Sequence, residues 1–456
     1  MVPSIMKNQN AQIRTSVPGP RSQALRAREE QHLAPGLQGF ALMAGIVVDT
    51  AEGSTVTDVD GNTFIDIIGG IGVNGLGHGH PKYIQAIQAQ VAKASVGSFT
   101  TEARVELFER IGKLRPTPDL HRLQLYSSGA EAVESALRLA KCHTGKTEFV
   151  SFWGGFHGKT LGTLALNGAD LKQNLGPMPP GNYQIPFANP YRPPFKGLSA
   201  HNLTDACIEF GRKQLKIQGT GNVAAFIIEP MQGTSGNVIP PDDFLPAVHS
   251  LAREFGALLI VDEMITGFGR TGKWWGMHHS GTSPDIVTLG KQFGGGFPIS
   301  GVLSTDEIVQ AKPWSLPSGS SSSYGGYPLA GAAAAASLRI IEEEGLVENS
   351  RRMGEHLLRK LEPMMDRYPF IGDVRGRGLF LSIDMVSDKV AKTPLSKPVC
   401  NRIFQECMKR GLLTMAYASS FRIQPAMTID EATLDNAVAI LIEVYDLMDL
   451  EGWWKA

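Results

Sequence analysis

The chain has 456 residues, 42% of them hydrophobic, and a net charge of −1. That length suits a large core in two domains, and the near-neutral balance gives no electrostatic case for nucleic acid or an anionic membrane as partner. Four cysteines (Cys142, Cys207, Cys400 and Cys407) match neither a disulfide framework nor a zinc pattern, so no metal site is expected and a reducing cytoplasmic location is.

Residues 1–20 are polar, carry Pro18 and Pro20, and read as a loose arm without the apolar core of a signal peptide. Residues 21–33 can form a short amphipathic helix. Gly45–Asp66 has the alternation of a small sheet, with Asp60-Gly61 as the hairpin turn. The glycine-rich stretch 69–81 (GGIGVNGLGHGHP) reads as a turn, and Pro81 opens a helix to about Ala94. Leu123–Tyr126 is a short strand leading into SSGAEAVESALRLAK, residues 127–141. In this strand–turn–helix the first helical amides and the hydroxyls of Ser127 and Ser128 form an anion site. The same letters also suit an ordinary serine cap with Glu131 as its partner. Phe149–Phe152 is the next strand, followed by GGFHGKT, residues 154–160. Residues 176–196 are rich in proline and glycine and read as a long structured loop. A helix near His201–Lys216, a strand ending at Glu229 and a helix over Asp242–Phe255 follow.

Two short apolar runs, Ala257–Val261 and Ile286–Leu289, have the pattern of strands buried on both faces. Asp262 and Glu263 stand where the first run stops, and Lys291 stands just past the second. Neighbouring parallel strands end at one edge, where ligands collect, so an acid and an amine are aimed into one pocket. Pyridoxal phosphate chemistry uses this pair. A lysine amine forms a Schiff base with the cofactor aldehyde, and an aspartate pairs with the pyridine nitrogen. Residues 267–272 (GFGRTG) match the dinucleotide fingerprint, but KWWGMHHSG beyond them does not open a helix, and the fingerprint needs one. Residues 315–326 (SLPSGSSSSYGG) have the composition of a linker. Pro328–Glu344 is a long alanine-rich helix. From Gly345 a C-terminal subdomain is expected, with helices over Val347–Tyr368 and Lys397–Arg410, a strand-like stretch at 371–385, and Arg422 on a short strand.

IVDEMITGFGRTG and TLGKQFGGGFPISG resemble the signature of class III (ω-amino-acid type) aminotransferases, and the resemblance runs from about residue 20 almost to the C-terminus. It is nearest to the 4-aminobutyrate transaminase group. It implies the α/β architecture of pyridoxal-phosphate fold type I. A large domain over 81–344 then holds a mostly parallel sheet between helices. A smaller α+β domain is built from 21–80 and 345–456. The implied activity is transfer of an amino group from an amino acid or amine to a 2-oxo acid (2-oxoglutarate or pyruvate), with Lys291 and Asp262 as catalytic residues. The resemblance further implies that Ser128, Gly129 and Ala130 hold the cofactor phosphate. It puts Phe156 and Met264 on the two ring faces, with His157 and Glu229 beside them. Ile265 stands where many relatives have a glutamine facing the ring hydroxyl. Ile71, Lys159 and Arg422 fall on the substrate side, Arg422 gripping a carboxylate. Ser323 reaches the neighbouring subunit's phosphate, which requires a homodimer, with a tetramer as the alternative. Lys159, Thr234 and Tyr327 depart from the family's arginine, glutamate and asparagine, and they move the pocket away from 4-aminobutyrate. A racemase or epimerase and a decarboxylating transaminase share the scaffold and remain rivals.

Overall fold

The computed structural model describes residues 10–198 and 200–455. The chain divides into two compact units, one built from residues up to Pro81 together with those from Glu344 onward, the other from Lys82–Glu343.

The Lys82–Glu343 unit is organised by one seven-stranded sheet. Its strands are β1 (Arg122–Tyr126), β2 (Glu148–Phe152), β3 (Asn182–Ile185), β4 (Val223–Ile228), β5 (Leu258–Asp262), β6 (Ile286–Leu289) and β7 (Ser300–Ser304). Their spatial order is β1-β7-β6-β5-β4-β2-β3. Only β7 runs against its neighbours; the other pairings are parallel. Every residue of β4, β5 and β6 is buried, which is why these strands read as unbroken apolar runs. β3 lies inside the proline-rich stretch that reads as a loop. β7 is hidden in a sequence with serine at both ends.

Helices α1 (Glu102–Leu114), α2 (Gly129–Thr144), α3 (Leu203–Gln218), α4 (Phe244–Glu254) and α5 (Pro328–Glu343) belong to this unit. α2 turns Ala132, Val133, Ala136, Leu137 and Ala140 inward, into a core with Ile227, Ile260 and Ile286. Gly145, at φ 68°, ends it in the left-handed conformation that glycine adopts most readily. α5 is buried almost all round, and its alanines let it lie close against α1.

In the other unit, strands Val48–Glu52, Thr55–Asp58 and Thr63–Asp66 form an antiparallel sheet, and Leu412–Leu413 joins it in parallel. The turn at Asp60-Gly61 falls where the sequence places it. The strand-like stretch 371–385 is a hairpin of Ile371–Arg377 and Phe380–Asp388, to which Ser420–Ile423 is added. Helices Leu346–Leu361, Lys397–Lys409 and Glu431–Glu451 pack around Phe64, Leu357, Phe404, Leu441 and Tyr445. Residues 10–19, read from sequence as part of a loose arm, are pinned. Asn62 Oδ1 accepts from the backbone N–H of Arg14 at 2.8 Å and of Thr15 at 2.9 Å. Asp60 caps the helix Pro20–Glu29 by accepting from the N–H of Arg21 and Ser22, both at 2.8 Å. The rest of that arm, residues 1–9, lies outside the described residues. Among the described residues no helix is long and apolar enough to cross a membrane, and the four cysteines are free thiols.

Candidate active site

Asp262 ends β5 opposite Thr288 of β6, and Lys291 follows three residues later, so acid and amine sit at the same sheet edge, one strand apart. The Asp262 side chain is 2% exposed and both its oxygens are engaged. Oδ2 accepts from His157 Nδ1 at 2.8 Å, and Oδ1 accepts from the backbone N–H of Met264 at 3.1 Å. His157 is equally buried, and its backbone N–H donates to Asn167 Oδ1 at 2.7 Å. Asn167 Nδ2 donates in turn to the carbonyl of Gly158 at 2.6 Å. The carboxylate is therefore aimed by a buried relay, Asn167 to His157 to Asp262, drawn from two segments distant in sequence.

The loop after β2 is held from the next strand. Glu229 Oε1 accepts from the N–H of Phe156 at 3.0 Å, and Oε2 accepts from the N–H of Gly233 at 2.9 Å. Burial pushes the Glu229 carboxyl above its ordinary range; His157 pulls the other way and the charge of Asp262 adds to the rise. Ile265 is 4% exposed and lies on Gly233, where an added Cβ would come within 3.3 Å of its Cδ1 and Cγ2.

Met264 joins three segments. A Cβ on Gly129 would lie 3.0 Å from its sulfur, and one on Gly290, the residue before Lys291, would lie 2.3 Å away. Gly158 in turn backs onto Ala130, with its Cβ position 2.7 Å from the alanine methyl. The structure thus brings Ser128–Ala130, Phe156–Gly158, Met264 and Lys291 to one place.

The helix start needs one correction. Ser127 does not offer its hydroxyl to an anion, because its N–H and Oγ both donate to Glu131 Oε2, at 2.9 and 2.7 Å. Ser128 is the cap: its Oγ accepts from Glu131 N–H at 3.3 Å, and its carbonyl accepts from Ser300 Oγ at 2.6 Å. The amides at the start of the 16-residue α2 have no intrahelical acceptor, and they carry the positive end of the helix dipole.

The serine-rich stretch 315–326 is not a linker. The carbonyl of Ser320 accepts from Gln124 Nε2 at 3.2 Å and from Tyr126 Oη at 3.0 Å. Burial alone would raise the Glu131 carboxyl, but hydrogen bonds from Ser322 and Ser127 outweigh it and hold the group below its usual range. Ser323 itself is exposed on the single chain, as are Lys159 and Thr234. Ile71 and Arg422 belong to the other unit. Ile71 is held at φ 64° in the turn Gly69–Gly72, and Arg422 is half-buried opposite Ser382.

GFGRTG lies in a run of turns, and the next helical segment after it is the short 3-10 turn Gly276–His279. Glu263, fully buried, accepts from Thr266 Oγ1 at 2.5 Å and from the N–H of Gly276 and Met277 at 2.9 and 2.7 Å, closing the segment on itself. Burial pushes this carboxyl up to about 7 and pulls the fully buried Arg270 down to about 9. His356, Glu431 and Asp435 approach one another in the other unit, but Asp435 is already shared between His356 at 2.6 Å and Lys360 at 3.3 Å. Sequence reading misses Asn167, whose role depends wholly on the fold, and Glu134, which accepts from Thr160 Oγ1 at 2.5 Å and steadies the 154–160 loop.

A family model described as aminotransferase class-III matches residues 40–445. The 5-aminovalerate aminotransferase of Pseudomonas putida is 35% identical, over 91% of this chain and 97% of its own. The alanine/serine racemase of Pyrococcus horikoshii is 31% identical, over 93% of this chain and 90% of its own. Among solved structures, an amine transaminase from an uncultivated Pseudomonas species, in a pyridoxal-phosphate-bound form, matches with a TM-score of 0.85 at 30% identity, covering 91% of this chain and 98% of that one. The architecture is fold type I and the cofactor is pyridoxal phosphate. The residues present suit that cofactor: a buried, oriented carboxylate, an amine one strand away, and a helix start crowded enough that glycine stands at 129, 158 and 290.

Proposed function

We propose that this chain, which belongs to the class-III aminotransferase family, moves an amino group from an amino acid or amine to a 2-oxo acid, 2-oxoglutarate or pyruvate, by means of Lys291 and Asp262. The observation that carries this reading is the buried His157–Asp262 pair at the sheet edge that Lys291 shares. Pyridoxal phosphate, when bound, supplies an aldehyde that captures amines and a ring that draws electrons from the substrate's α-carbon.

Around that group each side chain has a distinct task. Lys291 Nζ would anchor the cofactor and would serve as the base that takes the proton from the substrate's α-carbon and as the acid that returns one. Asp262 would keep a proton on the ring nitrogen, and His157 holds the Asp262 carboxylate in place. Ser128 Oγ and the amides of Gly129 and Ala130 receive the phosphate. Phe156 and Met264 would cover the two ring faces, Glu229 fixes the backbone of Phe156, and Ile265 would give the ring an apolar neighbour. Ile71, Lys159 and Arg422 meet the substrate, Arg422 taking a carboxylate with two parallel hydrogen bonds. Ser323 reaches the phosphate of a second copy, so the working form is a homodimer, and its compartment is the cytoplasm. Residues 81–344 act as the large domain, and 21–80 with 345–456 as the small one.

The test is a half-reaction. The yellow enzyme is mixed with a panel of amines and amino acids, and conversion to the pyridoxamine absorbance is followed. Conversion with at least one donor is expected, and Lys291→Ala abolishes the absorbance of the lysine-bound cofactor. The likeness to an alanine/serine racemase gives the second reading. Exchange of the α-hydrogen with solvent, with no net conversion for any donor, selects racemisation and overturns the transaminase reading.

A further inference from the structure

Lys291 is held at φ 47°, a left-handed conformation that a residue with a Cβ adopts only when its surroundings impose it. Its local sequence does not impose it. The turn Lys291–Gly294 leads into Gly295 and Gly296, at φ 58° and 103°, and such a run has wide backbone freedom of its own. Beyond its own helical ladder, the segment is tied by Phe293 N–H to the carbonyl of Gly290, Gly295 N–H to that of Gln292, and Phe297 N–H to that of Gly294, each at 3.0 Å.

Two side-chain hydroxyls complete it. Ser337 Oγ, fully buried on α5, donates to the carbonyl of Gln292 at 2.7 Å. Tyr83 Oη, on the helix Pro81–Val91, donates to the carbonyl of Gly294 at 2.6 Å. Each fills the second acceptor position of a carbonyl that the turn itself uses only once. The two carbonyls stand one and three residues beyond the lysine and are gripped from two separate helices, while Gln292, Phe293 and Gly294 are buried.

We propose that Tyr83 and Ser337 are positioning residues for Lys291. By bolting the turn after it to two helices, they set the reach of its amine toward the cofactor aldehyde. The proposal rests on the reading of Lys291 as the cofactor's lysine. Condensation of that amine with the aldehyde forms a C=N bond, breaks the C=O bond and releases one water. A misplaced amine therefore weakens retention of the aldehyde form of the cofactor and leaves retention of its amine form unchanged, since that form has no aldehyde to condense.

Apoenzymes of Ser337→Ala and Tyr83→Phe are titrated with pyridoxal phosphate and, separately, with pyridoxamine phosphate, reading the quenching of protein fluorescence. Loss of one donor is expected to raise the dissociation constant for pyridoxal phosphate about fivefold, with that for pyridoxamine phosphate within twofold of the parent. Tyr83→Phe keeps the shape of the ring, so it supplies the result if the buried Ser337 change impairs folding. Equal weakening of both ligands, or of neither, overturns the proposal. Lys291→Ala tests the underlying reading separately: the preference for the aldehyde form vanishes, and its survival would mean that another residue captures the cofactor.

Discussion

Replacing Asp262 by asparagine separates what the carboxylate does by charge from what it does by shape. Asparagine has the same outline, and the site is 2% exposed with donors on both sides, His157 Nδ1 at 2.8 Å and Met264 N–H at 3.1 Å. One of those donors would face the new NH2 group, a structural cost of about 1–3 kcal/mol. The chemical cost is larger in kind. An opposite charge beside a titrating group favours its charged form by about 1–3 pKa units, or roughly 1.4–4 kcal/mol. On the proposed pairing, the ring nitrogen would give up its proton without that charge, and the α-carbon would lose its electron sink. The expected outcome is a fall of about 10- to 1000-fold in the rate of the half-reaction at saturating donor. Stopped-flow absorbance measures that rate, and an α-deuterated donor should show a larger isotope effect in the variant because proton removal has become limiting. Retained absorbance of the lysine-bound cofactor shows that it still binds. An Asp262→Asn enzyme that holds its cofactor and reacts within threefold of the parent would refute the role given to the carboxylate.

Glu263 should make stability depend on pH. Its carboxyl is pushed up to about 7 in the fold by burial, from an ordinary value near 4.5, so the folded chain holds the proton more tightly than the unfolded one. Stability then falls as pH rises from about 4.5 to 7, by about 3 kcal/mol in all. Glu263→Gln should flatten that slope while losing about 1–3 kcal/mol at low pH, because one of its three donors loses an acceptor. Urea unfolding at pH 5 and pH 8 reads both effects, and an unchanged slope in the variant would contradict the assignment. Gly158→Ala would place a methyl 2.7 Å from that of Ala130 at a backbone φ of 135°. It should lift the 154–160 loop from the start of α2 and weaken cofactor binding about tenfold, a loss of roughly 1.4 kcal/mol. Titration of the apoenzyme checks this, and unaltered affinity would mean that the loop does not brace the phosphate turn.

What could be read from the letters follows from how each segment is buried. β4, β5 and β6 are covered on both faces, so they stand out as continuous apolar runs, and their ends carry Glu229, Asp262 and, just beyond, Lys291. β7 is just as buried but hides behind Ser300 and Ser304, whose hydroxyls are satisfied inside, on the carbonyls of Ser128 and Asp285. The helices Glu102–Leu114 and Glu431–Glu451 go unassigned from sequence, for opposite reasons. The first buries only Leu107 and Ile111, too few to mark a helical face. The second carries apolar residues on several sides, which blurs its period.

The active site divides in the same way. Lys291 and Asp262 are legible as candidates because Asp262 ends, and Lys291 stands just past, a strand that the pattern already marks. The partner of Asp262 does not, since His157 lies 105 residues away and meets it only through the parallel order of β2, β4 and β5. At residues 127 and 128 the limit is sharper. Two adjacent serines have the same donors, and both stand before the same glutamate. Backbone direction alone decides that Ser127 is consumed by Glu131 while Ser128 caps the helix and keeps its place beside the first amides of α2. A sequence can therefore specify which chemistry gathers at a helix start, whereas the choice between neighbouring residues of one kind is made by the turn that presents them.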